Sequence, residues 1–227
     1  MGTSKGYITP TTVHWTQAKT AVNRYAKNRD ESSRIAATSK FARAMHRDLE
    51  SSAAFVNSAS EFLKFAKAIS HNGLNDALQK FNRSDLIGKT SEEIFNELLN
   101  EFTNQGSTTE DYLSAGAISS ALRELDISEI EQLKDVSPDV LLQEILIEYI
   151  KLSFAFRYEE EIQKKKSPAQ TKQIILEMNK YVSTKLHEEL ELQDLKNTDF
   201  NEMQASQIVK RALEDAYQVF EMFYGEE

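Results

Sequence analysis

Residues 140–158, VLLQEILIEYIKLSFAFRY, form the most apolar segment of this 227-residue chain. Their apolar side chains cover more than one face of the helix that their spacing predicts. A helix that is apolar nearly all round is normally buried among other helices. We therefore expect residues 140–158 to form the central helix of the C-terminal half of the chain.

Apolar residues recur at helical spacing along almost the whole remaining sequence. Trp15, Ala18, Val22 and Tyr25, for example, follow one another at intervals of three, four and three positions and would share one helix face. The chain contains only 7 Gly and 3 Pro, which argues against a β-sandwich or barrel with its many turns. We predict an all-α fold, an irregular bundle of about eight or nine helices.

Several helix starts are marked by their own side chains. Residues 90–93 and 107–110 each begin with Thr or Ser and end with Glu, the pattern of a capping box. Ser followed by Pro, at 137–138 and at 167–168, combines a preferred N-cap with a residue that suits the first helical position. We expect a helix to begin at each of these four places.

The charge of the chain is divided by position. Residues 1–89 contain 14 Lys and Arg against 7 Asp and Glu, a net charge of +7, whereas residues 90–227 contain 13 against 29, a net charge of −16. In the first 47 residues, nine cations face only Asp30 and Glu31. Such a division indicates either a basic region that meets an anionic partner or two halves that complement each other.

The position of Pro10 and the change in charge divide the sequence into three regions. Residues 1–11 are predicted to be an extended N-terminal arm, because Pro10 disfavours helix at the residue before it. Residues 12–89 form a basic N-terminal helical region and residues 90–227 an acidic C-terminal helical bundle. The change of sign near residues 82–90 leaves open whether the molecule has two lobes.

The basic region and the arm supply the candidate partner-binding residues. Two apolar side chains of the arm would anchor it, and the cations of the predicted helices would meet an anionic surface or flank phosphates. In the alternative interpretation, Trp15 and Tyr25 belong to the core and the cations pack against the acidic half. The candidates are Lys5, Tyr7, Ile8, Trp15, Lys19, Arg24, Lys27, Arg34, Lys40, Arg43 and Arg47.

No motif predicts a catalytic residue, a metal site or a cofactor. The sequence 88–90, Gly-Lys-Thr, is similar to the end of a phosphate-binding P-loop, but position 83, where the motif needs Gly, is Arg. The chain has no Cys, and its four His lack the spacing of a zinc-binding pair. An enzyme would need a pocket made by folding, with carboxylates around His46 or His187.

The location of the protein is predicted from what the sequence lacks. No apolar run approaches the roughly 20 residues of a membrane span, and the N-terminus has no apolar signal-peptide stretch. We expect a soluble cytoplasmic protein without a membrane partner.

The opening residues carry a resemblance to a known family. Residues 1–7, MGTSKGY, followed by Pro10-Thr11 and Trp15, resemble the start of QatB-like accessory proteins of bacterial anti-phage (Qat) defence systems, which are encoded beside ATPases. The resemblance implies a bacterial accessory protein that works in a complex and has no catalytic residues, with the ATPase encoded nearby as a candidate protein partner.

Two functional hypotheses follow from these observations. The first is a non-enzymatic adaptor or scaffold subunit that docks a partner through its arm and basic region. The alternative is a nucleic-acid-binding module that uses the same cations, whose binding would weaken with salt as counterions are released.

Overall fold

The computed structural model describes residues 10–192, residue 195 and residues 202–222. These residues form α-helices joined by short 3₁₀ turns and loops, with no β-strand among them, which confirms the predicted all-α fold. The helices of the described part are α1 Val13–Asn28, α2 Glu31–Arg47, α3 Ala53–Asn72, α4 Leu74–Lys80, α5 Ser91–Phe102, α6 Thr109–Glu124, α7 Pro138–Gln163, α8 Pro168–Glu189 and α9 Glu202–Met222.

One of the two predicted capping boxes is in place and the other is shifted by a residue. Thr90 caps α5, its hydroxyl accepting from the backbone N–H of Glu93 while the carboxylate accepts from the backbone of Thr90. At α6 the box is formed by Thr108 and Asp111. Ser107 already has helical backbone angles after the 3₁₀ turn that precedes it, so it cannot be the extended residue that a cap requires.

Both Ser-Pro pairs mark helix starts, as predicted. Helix α7 begins at Pro138, and α8 begins at Pro168. Ser167 accepts a hydrogen bond from the backbone N–H of Gln170, and Pro168 occupies the first helical position, where its missing N–H costs nothing.

The chain divides into two compact units, each assembled from separate stretches of sequence. The first unit contains Met1–Leu49, Ile150–Leu190 and Glu214–Glu227, and the second contains Glu50–Tyr149 and Glu191–Leu213. Helices α7 and α9 each contribute residues to both units. The segment 82–90, where the sequence changes the sign of its charge, lies inside the second unit.

An aromatic cluster forms the centre of the first unit. Phe41 of α2 packs edge-on against Phe154 and Tyr158 of α7, with ring centroids 5.3 and 5.9 Å apart. Trp15 and Tyr25 of α1 are also buried, with 2% and 1% of their surfaces exposed. The apolar C-terminal part of α7 is thus buried against a helix of the N-terminal half.

The second unit has its own aromatic core. Phe55 of α3 stacks on Tyr149 of α7, with ring centroids 3.8 Å apart and ring planes inclined by 13°. Phe65, Phe81 and Phe102 form a second group, with centroids between 5.2 and 6.1 Å apart. Helix α7 therefore supplies buried residues to both cores, a wider role than the central helix of the C-terminal half that its sequence predicted.

Candidate functional site

The two units differ strongly in charge. Counted on the sequence, the first unit has 17 Lys and Arg against 14 Asp and Glu, a net charge of +3, and the second has 10 against 22, a net charge of −12. The first unit joins the basic N-terminal helices to Ile150–Leu190, which has 8 Lys and Arg against 6 Asp and Glu, and to Glu214–Glu227, which has none against 5. Part of the predicted charge complementarity is therefore met inside this unit.

Two glutamates of the first unit neutralise cations of α1 and α2. The Nζ of Lys19 lies 3.2 Å from Oε2 of Glu161, which also contacts Lys164. Burial raises the pKa of the Glu161 carboxyl, but the hydrogen bonds from the two lysines outweigh it and hold the pKa below its usual value. Glu221 contacts Arg43 at 3.9 Å and Nδ1 of His46 at 2.8 Å.

A third glutamate, Glu177 of α8, is held by the end of α1. The guanidinium of Arg29 donates from two nitrogens to its two carboxylate oxygens, a bidentate contact in which Nε lies 3.1 Å from Oε2. The hydroxyl of Tyr25 donates to the same Oε2 at 3.0 Å, and the side-chain amide of Gln173 donates to Oε1 at 2.9 Å. This cluster ties α1 to α8.

The environment of Glu177 shifts the pKa values of the cluster. The hydrogen bond from Arg29 lowers the pKa of the Glu177 carboxyl to about 2, although partial burial opposes the change. Burial, and then the hydrogen bond to that carboxylate, raises the pKa of the Tyr25 phenol to about 12. The charged carboxylate and the neutral phenol are thus the forms that the fold stabilises.

Other predicted cations remain on the surface. Arg24, Lys27 and Arg47 are exposed and form no ion pair with any residue that the structure describes. Lys40 is half-buried, and the guanidinium of Arg34 lies over the ring of Tyr181, 4.7 Å from its centroid. The first unit therefore keeps unneutralised positive charge on α1 and α2.

Part of this free charge converges on a basic depression of the first unit, between the last turns of α1 and the end of α7. Its volume is about 540 Å³. Four cations line it, with two asparagine side chains and an apolar base, and no acidic side chain is among its lining residues. The lining residues are Asn23, Arg24, Ala26, Lys27, Asn28, Ile162, Lys165 and Lys166.

Hydrogen bonds at the rim of the basic depression fix its shape. The Nζ of Lys165 donates to Oδ1 of Asn23 at 3.0 Å, which joins the α7 side of the depression to α1. The amide of Asn23 in turn donates to the carbonyl of Lys19 at 3.0 Å. Asn23 also approaches Glu161 at 3.5 Å, but that carboxylate is already held by two lysines.

The helix ends at the depression do not cancel its charge. The C-terminus of a helix carries about half a negative charge, so the ends of α1 and α7 together offset about one of the four positive charges. Lysines are favoured at this place in part because their positive charge is attracted to the negative ends of the two helices. A surplus of positive charge nevertheless remains, directed into a concave surface.

The second unit has a depression of similar size and different lining. Its volume is about 490 Å³, and it lies between α5, α6 and the 3₁₀ turn that follows α6. Phe95, Leu122, Ile127 and Ile130 form its apolar part. Its charged lining residues are Glu92, Arg123, Asp126 and Glu129.

Arg83 is the centre of charge contacts in the second unit. It binds Asp85 through two nitrogens at 3.0 and 3.1 Å, Glu101 at 2.7 Å and Glu97 at 3.5 Å. The hydrogen bond to Asp85 is the main cause that raises the pKa of its guanidinium. Arg83 stands where a P-loop needs Gly, and residues 10–82 contain no strand, so residues 82–90 are a loop with one short 3₁₀ turn that leads into a capped helix.

The remaining predicted site residues have other positions. Lys5, Tyr7 and Ile8 lie outside the described residues. Trp15 lies in the core, where Arg157 covers its ring at 5.6 Å, so its position follows the alternative interpretation of the sequence rather than that of a surface residue.

Lys165 and Lys166 were missed because they belong to a run of charges, at 159–166, that is typical of a solvated helix end. The sequence offers no signal that brings this run next to Arg24 and Lys27. The pairing depends on how distant helices pack.

The two histidines that an enzyme site was expected to include lie away from the two depressions. His46 contacts Glu221, and His187 approaches the hydroxyl of Ser183 at 3.3 Å; neither lines one of the two depressions. Among the residues described, no cluster of His, Cys, Asp or Glu is arranged to hold a metal ion. No described helix has the length and apolar character needed to cross a membrane.

Comparison with protein families decides the family of the chain. Residues 42–220 match the model of the family described as Qat anti-phage system associated protein QatB. The chain belongs to the QatB family. No curated protein and no solved structure matches it.

The QatB match confirms the resemblance that the sequence suggested, through a different part of the chain. The resemblance was drawn from residues 1–15, whereas the match begins at residue 42 and covers the whole second unit and about half of the first. Lys165 and Lys166 of the basic depression lie inside the matched range, and Arg24 and Lys27 lie before it. The family establishes an association with an anti-phage defence system.

Proposed function

We propose that this QatB-family protein is a non-enzymatic adaptor subunit of a bacterial, cytoplasmic anti-phage defence complex. The exposed cations Arg24, Lys27 and Arg47 of its first unit, which we call the basic face, dock a protein partner, for which the ATPase encoded nearby is the candidate. One observation carries the proposal: several cations of α1 and α2 are neutralised inside the unit, while Arg24, Lys27 and Arg47 stay exposed without an ion pair among the described residues.

Some cations of the first unit contact a glutamate and others do not, which supports a role for the latter in binding a partner. Lys19, Arg29 and Arg43 each face a glutamate, so the fold can supply internal partners for basic residues. Exposed charges of one sign steer an oppositely charged partner and reject partners of the same sign, more than they add affinity. An acidic surface on the partner would therefore be selected by Arg24, Lys27 and Arg47.

Co-purification from cells that express the whole operon tests this proposal. We expect Arg24→Glu/Lys27→Glu to reduce the amount of partner recovered with the tagged protein by about tenfold, because two charges change sign at the docking surface. The matched control is Lys172→Glu/Lys180→Glu, which makes the same change of charge on the exposed face of α8. Equal recovery with both double variants would reject docking through this face.

The N-terminal arm needs a separate test. Removal of residues 1–10 should weaken partner recovery if Tyr7 and Ile8 anchor the arm, while the charge-reversal variants keep the arm intact. Unchanged recovery after truncation would remove the arm from the proposal and leave the basic face.

The alternative function is binding of nucleic acid by the same cations. Four of the first unit's cations lie around one depression, which is an observation in its favour. A gel-shift assay at low salt is the direct test, since the affinity of such binding is highest there. Absence of a complex at low salt would remove this alternative and leave the adaptor function unaffected.

A further inference from the structure

We infer that the basic depression is a binding site for phosphate groups, carried either by a nucleotide or by a nucleic-acid strand. This inference goes beyond the adaptor function, because it assigns a ligand to the isolated protein. It begins from the convergence of Arg24 and Lys27 with Lys165 and Lys166, which are about 140 positions apart in the sequence and line one concavity.

The charge of the depression fits a ligand with several negative charges in a small space. The two helix ends offset about one of the four positive charges, and Asp30, which interacts with Arg24 and Asn28, offsets about another, so a surplus of about two positive charges faces the concavity. Neighbouring phosphates of a nucleotide or a strand bring comparable negative charge into a volume of this size. A peptide fits less well, since successive side chains of an extended chain point to opposite sides and every second carboxylate would face away.

The other lining residues suit the remainder of a nucleotide. The side chains of Asn23 and Asn28 lie at the edge of the depression, where Asn23 is hydrogen-bonded to Lys19, Glu161 and Lys165, and Ile162 and Ala26 provide an apolar base. The volume of about 540 Å³ lies within the range of pockets that hold small ligands. Arg supplies a fork that fits phosphate oxygens, and Lys supplies point charges.

The geometry is already held in place without a ligand. The hydrogen bond from Lys165 to Asn23 joins the two sides of the depression. The carboxylate of Glu161, which reaches Asn23, is bound by Lys19 and Lys164 and so does not compete for the lining cations. Binding would therefore need little rearrangement of the surrounding side chains.

Fluorescence anisotropy with the isolated full chain tests the inference. Two probes are used, a labelled nucleoside triphosphate and a labelled single strand of about 12 nucleotides. Each is titrated at about 50 mM and about 200 mM salt. The site variant is Lys27→Gln/Lys166→Gln, and the control is Lys172→Gln/Lys180→Gln, which removes the same charge from exposed positions of α8 in the same unit.

We expect the site variant to bind about fivefold or more weakly and the control to change by less than about twofold. For the strand, the dependence of log affinity on log salt should also become shallower by about 1.4, the contribution of two phosphate contacts. Binding of both probes identifies a site that accepts nucleotides, whereas binding of the strand alone identifies a segment of a strand-binding surface. Either result supports a phosphate site.

Three results would overturn the inference. The first is that neither probe binds at the lower salt concentration. The second is that the site variant and the control variant weaken probe binding equally. The third is that poly-glutamate displaces the probes as effectively as an unlabelled strand of equal charge. Thermal unfolding of both variants checks that they are folded. No partner protein is present in this assay. A negative result would therefore reject the phosphate site without rejecting the adaptor function, which the co-purification experiment tests.

Discussion

In the first unit a glutamate, Glu177, gathers several hydrogen-bond donors, whereas in the second unit an arginine, Arg83, gathers several carboxylates; we call these two groups hubs. Glu177 accepts hydrogen bonds from Arg29, Tyr25 and Gln173. Arg83 binds Asp85, Glu97 and Glu101. In each unit the hub carries the charge that is in the minority there, since the first unit has a net charge of +3 and the second of −12.

This comparison shows how each unit uses its charges. Glu177 joins α8 to the end of α1, and Arg83 joins the turn before α5 to α5 itself. Charged side chains outside the hubs line the two depressions, four cations in the first unit and three carboxylates with Arg123 in the second. The hubs therefore contribute to stability, and the charges that line the depressions are the ones available for binding.

The largest effect on stability is expected from Arg83→Met. Its side chain is 17% exposed and holds three carboxylates. Without it these acidic groups lose their common partner and repel one another. We expect the free energy of unfolding to fall by about 2 kcal/mol, a value limited by the exposure of the carboxylates. Urea denaturation measures the change.

Arg83→Lys is the control for this prediction. It keeps the positive charge and removes the bidentate contact with Asp85, so an intermediate loss of stability is expected. Equal stability of Arg83→Met and the unchanged protein would show that the second unit does not depend on this hub.

A smaller loss is expected from Glu177→Gln in the first unit. The substitution keeps the shape of the side chain but removes the charge that Arg29 and Tyr25 contact. Because about one third of the side chain is exposed, we expect a loss of about 1 kcal/mol. A double-mutant cycle with Arg29→Met should show that the two losses are not additive. Additive losses would contradict direct coupling of the pair.

The same pair makes stability depend on pH. The pKa of Glu177 is about 2 in the folded protein against an ordinary value of 4.5, so the unfolded chain takes up the proton at higher pH. The contribution of Glu177 is therefore complete above about pH 5 and is lost as the pH falls towards 2. Between these values the unchanged protein should lose about 1 kcal/mol more than Glu177→Gln. Parallel stability curves of the two proteins would contradict the lowered pKa.

The elements of the fold could be predicted because their signals are local. The capping side chains around residues 90 and 167 lie within three or four positions of the backbone groups that they satisfy. The apolar run at 140–158 likewise shows burial without reference to its neighbours. The sequence could not show that Thr108 rather than Ser107 caps α6, since each of the two hydroxyl residues precedes an acidic residue by three positions.

The candidate site could not be predicted in the same way. Spacing shows which residues share a face of one helix, but not which other helix this face meets. The pairing of Lys19 with Glu161, and of the end of α1 with Lys165 and Lys166, depends on contacts across about 140 positions. The division of charge along the sequence therefore predicted a basic region without showing which of its cations the fold neutralises.

The smallest effect on stability is expected from Arg24→Gln in the basic depression. Arg24 and Lys27 lie three positions apart on α1, where two like charges repel by a few tenths of a kcal/mol. Removing one charge should leave the free energy of unfolding within about 0.5 kcal/mol of its original value, as with Lys172→Gln on α8. Urea denaturation and probe binding are measured on the same samples. A loss above about 1 kcal/mol would show that Arg24 supports the fold; unchanged stability with weakened binding would show that the unit carries this charge for a ligand.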